Sequence, residues 1–179
     1  MALLVTSRLT LEPLTAAHAD VLYDGLRDPA LYEFIPGDPP ATLQEKRDHF
    51  ARILRGPRDN PVELWRNWAV KVTATGGYIG LIETSLFPGD HAHLAYFIFT
   101  GAQRTGYAKE ACVAVLRHIA ATYAIKQVVA EMDTRNTASW RLVESLGFTR
   151  TGEKKDADFF KGATSHEYHY RLDPTALAE

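Results

Sequence analysis

The sequence predicts an α+β protein with a mixed, mostly antiparallel central sheet flanked by about four helices. Several short runs alternate apolar and polar residues and follow one another directly, which is typical of antiparallel strands. A strand-like run, a helical run and a second strand-like run succeed one another within residues 91–133, which indicates one parallel crossover. With 179 residues the chain is long enough for one domain with its own core. We therefore expect a single domain over residues 1–179.

The chain is predicted to begin with one strand and one helix. Residues 7–14 alternate polar and apolar side chains and end at a proline-containing corner, as a half-buried strand does. Residues 15–27 then place apolar side chains at helical spacing until Asp28 and Pro29 break the run.

A loop and a second helix are predicted next. The Pro-Gly-Asp-Pro-Pro segment at residues 36–40 is incompatible with regular structure. Thr42 and Glu45 then have the spacing of a capping box, and apolar residues on one face continue to about Arg55.

Three consecutive strands are predicted in the middle of the chain. Their residues are rich in β-branched and aromatic types, and the first two are separated by Ala-Thr-Gly-Gly, a hairpin signal. The three runs are residues 65–73, 78–86 and 91–99.

The C-terminal third is predicted to contain two helices and three strands. Residues 107–123 and 137–146 are helical in pattern, and Gly147 follows the second helix where a left-handed residue commonly ends one. The three strand-like runs are residues 127–133, 148–154 and 166–172.

Composition excludes several classes of function. A formal charge of -2 gives no general attraction to nucleic acid. No apolar run approaches the roughly 20 residues that span a bilayer, and the N-terminus lacks the pattern of a signal peptide, so we expect a cytoplasmic protein without membrane partners. The single cysteine, Cys112, cannot form an internal disulfide and is predicted to lie in the core. The seven histidines show no metal-ligand spacing, so we expect no metal site.

The segment most indicative of function is the turn at residues 103–108, Gln-Arg-Thr-Gly-Tyr-Ala. It lies between a strand-like run and a helical run, so the unpaired amides and positive dipole end of the helix would favour a phosphorylated ligand. A purely structural turn between strand and helix is the alternative interpretation. The segment has neither the P-loop pattern nor the dinucleotide-binding pattern, which argues against ATP and NAD.

Two segments resemble the GNAT superfamily of acyl-CoA-dependent N-acyltransferases, and most closely its Rim-type branch of ribosomal-protein N-terminal acetyltransferases. Residues 92–99 followed by residues 103–111 resemble the pyrophosphate-binding segment of that branch. Residues 136–148, Asn-Thr-Ala-Ser-Trp-Arg-Leu-Val-Glu-Ser-Leu-Gly-Phe, resemble its second signature. The similarity extends with less detail from the first strand to the last.

This resemblance implies that the two middle strands splay apart and that the pantetheine arm of acetyl-CoA lies in the gap. The pyrophosphate would then bind to the backbone amides of the turn, where Gly106 allows close approach. Asn136 and Ser139 would line the other wall. The residues implied in binding acetyl-CoA are Phe97, Ile98, Phe99, Gln103, Arg104, Thr105, Gly106, Tyr107, Ala108, Asn136 and Ser139.

Direct acyl transfer needs a neutral amine, a polarised carbonyl and a proton for the departing thiolate. The resemblance implies Glu131 as the base, with His93 as a rival and an outward-facing polar residue as the alternative in each case. Some relatives carry a tyrosine in the last helix as the acid, but the matching residue here is Val143. Ser139 is then the best remaining donor, unless it only caps its helix.

The function implied is transfer of an acetyl group from acetyl-CoA to a primary amine, either a protein N-terminus or a small amine, by a monomer or homodimer. A protein acceptor would require an open cleft, and a small amine a closed pocket. The alternative is a non-catalytic acyl-CoA-binding domain.

Overall fold

The structure is a computed structural model that describes residues 1–177, which form one eight-stranded sheet packed between helices. The strands are β1 (Leu4–Val5), β2 (Leu9–Pro13), β3 (Leu64–Val72), β4 (Tyr78–Leu86), β5 (His91–Ile98), β6 (Gln127–Asp133), β7 (Thr149–Phe160) and β8 (Ala163–Leu172). The α-helices are α1 (His18–Leu26), α2 (Leu43–Leu54), α3 (Tyr107–Tyr123) and α4 (Thr137–Ser145). Short 3-10 helices occupy Pro29–Tyr32, Thr100–Ala102 and Pro174–Leu177.

The sheet is mixed and mostly antiparallel, which confirms the predicted α+β class. Its order is β1-β2-β3-β4-β5-β6-β8-β7, and only β5 and β6 pair in parallel. Helix α3 makes the crossover between these two strands, as predicted. The larger core cluster packs α3 and α4 on one face, and a smaller cluster packs α1 and α2 on the other. Cys112 is fully buried in the larger cluster.

The two middle strands separate, which confirms the expected splay. Their ladder contains three pairs, His91 with Gln127, Ala92 with Val128 and His93 with Val129. Strand β5 continues to Ile98 and β6 to Asp133 without further pairing between them. The gap that opens beyond His93 and Val129 is therefore bordered by backbone that the sheet itself does not satisfy.

The helix caps predicted from the sequence are confirmed in part. Thr42 caps α2 by accepting a hydrogen bond from the amide of Glu45. The Glu45 carboxylate accepts from the amide of Ala41, one residue earlier than in the usual capping box. Gly147 follows α4 with φ of 93°, the left-handed conformation expected of a glycine at that position.

Four elements differ from the sequence-based prediction. The short strand β1 was not predicted, because two residues carry too little alternation to be recognised. Helix α1 begins at His18 rather than at residue 15. Strands β7 and β8 form a longer hairpin than predicted and lie in reversed spatial order, because β8 rather than β7 pairs with β6.

A buried carboxylate, that of Asp133, fixes the connection between β6 and α4. The carboxylate of Asp133 accepts from Arg135 at 2.6 Å and from the Ser165 hydroxyl at 2.7 Å, and its side chain is 1% exposed. Burial alone would raise the pKa of Asp133, but hydrogen bonds from Arg135 and Ser165 lower it to about 2. The start of α4, which carries part of the candidate site, is held by this group.

We expect Asp133→Asn to lower the free energy of unfolding by roughly 2 kcal/mol at pH 7. The folded-state pKa lies below the unfolded value, so this contribution is present above about pH 4 and is lost as the pH falls through the folded-state pKa of about 2. Urea unfolding at several pH values from 7 downwards measures the effect. The difference between wild type and variant should shrink toward acid pH. A difference that stays constant would show that Asp133 acts through packing rather than through its charge.

Candidate active site

The turn between β5 and α3 adopts an anion-binding backbone conformation. Gly106 caps α3 with φ of 85° and ψ of -1°, and no side chain caps this end of the helix. Arg104 is also left-handed, with φ of 61°. Left-handed residues that alternate with right-handed or extended ones turn successive amides to the same side and form a concave nest. Gly106 and Arg104 are both exposed, so the nest faces outward.

Six consecutive amides in this turn lack a protein acceptor. Among residues 1–177, the backbone N–H groups of residues 104–109 donate no hydrogen bond. The side chains around them are used to shape the turn: Thr105 donates to the carbonyl of Ala102 at 2.7 Å, and Gln103 donates to the carbonyl of Ile98 at 2.9 Å. The dipole of the 17-residue helix α3 adds positive potential at the same point.

Arg8 on the loop before β2 braces the turn, a role that sequence reasoning missed. Its guanidinium donates to the carbonyl of Thr105 at 3.0 Å and to the carboxylate of Glu110 at 2.6 Å. The same carboxylate accepts from the hydroxyls of Thr6 and Ser7. Burial would raise the pKa of Glu110, but these hydrogen bonds lower it, so the group stays ionised at neutral pH. No local pattern signals a contact between residues 102 positions apart.

Strand β5 turns alternate backbone groups toward the gap. The amide of Phe99 donates to the carbonyl of Ile79 on β4 at 2.8 Å, and the carbonyl of Phe97 also points at β4, next to Gly80. Because backbone groups alternate along a strand, those of Ile98 and Tyr96 point into the gap. Of the three residues implied in binding the pantetheine arm, Ile98 at the end of β5 thus presents its main chain to the gap, whereas Phe97 and Phe99 pack against the smaller core cluster.

The start of α4 lies across the gap from β5. Asn136 caps this helix, because its side chain accepts from the amide of Ser139 at 3.1 Å. Ser139 is therefore not the cap, and its hydroxyl is paired with the Tyr96 hydroxyl at 2.7 Å. Burial raises the pKa of Tyr96, so this hydroxyl stays protonated. Val143, where some relatives carry tyrosine, is fully buried in the core. Tyr96 brings a phenol to the gap from β5 instead.

Glu131 and His93 face the same cavity on the other side of the sheet. This cavity, which we call the gap cavity, has a volume of about 390 Å³ and lies beside the opening between β5 and β6. Glu131 lies two residues beyond Val129, the last residue of β6 that pairs with β5, and its carboxylate is 3.3 Å from Nδ1 of His169. His93 is the last residue of β5 that pairs with β6, and its ring lies near those of Phe87 and His91. The structure brings both candidate bases together, and Glu131 lies nearer the open part of the gap.

A larger cavity of about 630 Å³ lies between α2, the loop after α1 and the sheet, and we call it the helix cavity. Tyr32, Ile35 and Asp38 line it from the loop, and Glu83 and Phe97 line it from the sheet. His49 and Glu83 line both cavities, which makes the two spaces neighbours. No sequence pattern indicates Glu83, since one glutamate on an alternating strand carries no distinctive signal.

None of the helices within residues 1–177 is long and apolar enough to cross a membrane. Over the same range no group of three or more His, Cys, Asp or Glu side chains is arranged to hold a metal ion.

Comparison with known proteins gives a family match and similar folds. Residues 8–149 match the family described as an acetyltransferase (GNAT) domain. An uncharacterized N-acetyltransferase, p20 of Bacillus licheniformis, is 25% identical over 175 residues, which cover 96% of each chain.

Two solved structures share the fold at low identity. The RimL ribosomal L7/L12 α-N-protein acetyltransferase in complex with coenzyme A is 20% identical with a TM-score of 0.82, covering 94% of this chain and 96% of that one. Spermidine N-acetyltransferase from Vibrio cholerae, in complex with CoA and spermine, is 16% identical with a TM-score of 0.80, covering 97% and 100%.

Proposed function

This chain belongs to the acetyltransferase (GNAT) domain family, and we propose that it transfers the acetyl group of acetyl-CoA directly to a primary amine. The observation that carries the proposal is the row of amides at residues 104–109, which have no acceptor within residues 1–177 and follow the part of β5 that no longer pairs with β6. A phosphate group and an extended amide-bearing arm are the two ligand parts that such a nest and such an open strand edge bind.

Both parts occur in coenzyme A, as its pyrophosphate and its pantetheine arm. The amides of residues 104–109 bind the pyrophosphate, and Arg104, which forms no ion pair within residues 1–177, adds a positive charge beside it. The gap-facing backbone of Tyr96 and Ile98 binds the pantetheine arm. The RimL and spermidine acetyltransferase structures are both described with CoA bound, which supports this donor.

The two proton transfers of the reaction take place on opposite faces of the sheet. On the face with the gap cavity, Glu131 accepts a proton from the acceptor ammonium, directly or through water, and His169 lies against Glu131 at 3.3 Å. On the opposite face, Ser139 donates a proton to the leaving thiolate, and the Tyr96 hydroxyl holds Ser139 in place by a hydrogen bond. The proton that the nitrogen loses on forming the amide returns through solvent to Ser139. Carbonyl polarisation falls to gap-facing backbone amides of β5.

The acceptor is either a protein N-terminus, as in the Rim-type branch, or a small amine. One observation favours a small amine. Lys161, at the tip of the β7–β8 hairpin, donates to the carbonyls of Ile35 and Gly37 at 2.8 Å each, and these residues belong to the loop that lines the helix cavity. The hairpin thereby holds the loop in place. This contact narrows the opening through which an extended peptide would enter the helix cavity.

We expect Gly106→Ala to weaken acetyl-CoA binding about tenfold or more. A side chain at φ of 85° costs roughly 1–2 kcal/mol, and the turn relieves that strain by moving its amides out of the nest. Isothermal titration calorimetry with acetyl-CoA measures the change. Gly101→Ala is the matched control, because an added Cβ there meets nothing within 4 Å.

Thiol release from acetyl-CoA with a panel of amines and peptides tests the reaction itself. No binding of CoA or acetyl-CoA to the wild type would refute the proposal. Binding without turnover of any acceptor would favour the non-catalytic alternative. The described relatives are all named as acetyltransferases, which gives that alternative no support.

A further inference from the structure

Glu83 is a partly buried carboxylate where the two cavities meet. It lies on β4, where it pairs with Asn67 on β3 and Ala95 on β5, and its side chain lines both cavities. Within residues 1–177, no group donates a hydrogen bond to it and no cation lies within 4.0 Å. Burial raises the pKa of the Glu83 carboxyl, and the positive charge of Lys46 opposes this rise. Because Glu83 lines both cavities and no protein group donates to it within residues 1–177, its carboxylate can accept a hydrogen bond from a cationic ligand there.

Two basic side chains of α2, Lys46 and His49, line the helix cavity with Glu83, and the charge of Lys46 attracts Glu83 without an ion-pair contact. The Lys46 ammonium lies over the Phe50 ring at 4.6 Å from its centroid, and Lys46 is 9% exposed. Nδ1 of His49 is 2.7 Å from the Arg52 guanidinium. Burial, with the charges of Lys46 and Arg52, lowers the pKa of His49 to about 4, so His49 is neutral at pH 7. Neither residue neutralises Glu83 by direct contact.

The walls of the two cavities have an excess of negative charge. Five carboxylates line them, against the two permanent cations Lys46 and Arg52. The carboxylates are Asp38, Glu45, Asp48, Glu83 and Glu131. Such walls attract cations and disfavour anions.

The strand order fixes where Glu83 lies relative to the reacting group. Glu83 is on β4, one strand away from β5, whose far edge borders the gap. Neighbouring strands are about 4.8 Å apart, so a cation on Glu83 lies within a short molecule's length of an amine at the gap. Glu131, which borders the gap, is better placed for proton transfer, and Glu83 for holding a second charge.

We propose that Glu83 binds a second cationic group of the acceptor, so that the acceptor is a small molecule carrying two amines about four carbons apart. This inference rests on the proposed acetyl transfer. One amine lies at the gap beside Glu131, and the other pairs with Glu83 where the gap and helix cavities meet. The hairpin contact of Lys161 holds the loop at the helix cavity and makes it suited to a small molecule.

The test compares 1,4-diaminobutane with 1-aminobutane on wild type and Glu83→Gln. We expect wild type to prefer the diamine by at least tenfold in kcat/KM. Glu83→Gln should lower that value for the diamine by roughly 10–100-fold and leave the monoamine within about threefold. Asp24→Asn is the control, because it removes an exposed carboxylate of α1 outside both cavities. It should leave kcat/KM unchanged for both substrates.

Calorimetric binding of 1,4-diaminobutane in the presence of CoA separates this inference from the proposed function. Binding to wild type but not to Glu83→Gln, without turnover, would retain the Glu83 site and refute the acetyl transfer. Equal kcat/KM of wild type for the two amines would overturn the inference. An equal fall in kcat/KM for both amines in Glu83→Gln would also overturn it. A peptide acetylated at its N-terminus as efficiently as the diamine would also overturn it.

Discussion

Replacing Glu131 by glutamine is expected to lower kcat for acetyl transfer by about a hundredfold or more while leaving the Kd of acetyl-CoA within about twofold. Glutamine keeps the size and position of the side chain but cannot accept the proton of an ammonium. Glu131 is exposed to the gap cavity and lies beyond the last pair of the β5–β6 ladder, where an amine reaches the open gap. Steady-state kinetics together with calorimetric titration of acetyl-CoA measure the two effects separately.

Two companion variants show whether the loss belongs to Glu131. His93→Gln should reduce kcat by no more than about threefold. His93 belongs to the last pair of the β5–β6 ladder and lies among the rings of Phe87 and His91, so it is farther from the open gap than Glu131. Ser139→Ala should reduce kcat less than Glu131→Gln, because positioning alone contributes much of the rate. A large loss in His93→Gln together with a small loss in Glu131→Gln would transfer the role of base to His93.

Gly80→Ala is expected to destabilise the fold by at least about 3 kcal/mol, which corresponds to a fall in Tm of roughly 6–12 °C. A Cβ at this position would lie 1.9 Å from the carbonyl oxygen of Phe97 and 3.0 Å from Cα of Ile98. The backbone of Gly80 also has φ of 150°, which side-chain-bearing residues rarely adopt. To accept the methyl group, β4 must move away from β5 next to the proposed pantetheine site.

Thermal and urea unfolding measure this loss, with Gly152→Ala as the control. An added Cβ at Gly152 in β7 meets nothing within 4 Å, so its effect should stay within about 0.5 kcal/mol. We also expect Gly80→Ala to bind acetyl-CoA more weakly at temperatures where it remains folded, because Ile98 follows the displaced strand. A stability equal to that of Gly152→Ala would show that β4 and β5 approach less closely than the structure has them.

The features that the sequence predicted are those with a local cause. Thr42 caps its helix through a residue three positions away, and Gly106 and Gly147 are needed because their own backbones are left-handed. Period-two runs such as β4 identify strands because alternation follows from the pleat itself. The parallel crossover through α3 follows from the order of these elements and from the handedness of such connections.

The contacts that the sequence could not predict join distant positions. The Tyr96 and Ser139 hydroxyls are 43 residues apart, and the Arg8–Glu110 pair is 102 residues apart. Each depends on which strands become neighbours in the sheet, and no local pattern states that. The boundaries of β7 and β8 were misjudged for the same reason, because pairing between these two strands extends a hairpin whose residues are mostly exposed and polar.

The sequence by itself therefore determined the turn at residues 103–108, the strands and helices around it, and the family to which this chain belongs. Only the tertiary structure decided which backbone groups of β5 face the gap, that Asn136 rather than Ser139 caps α4, and that Glu83 lines both cavities. The physical reason is that backbone conformation and periodicity act over a few residues, whereas enclosure and charge pairing are set by elements that meet only after the sheet has formed.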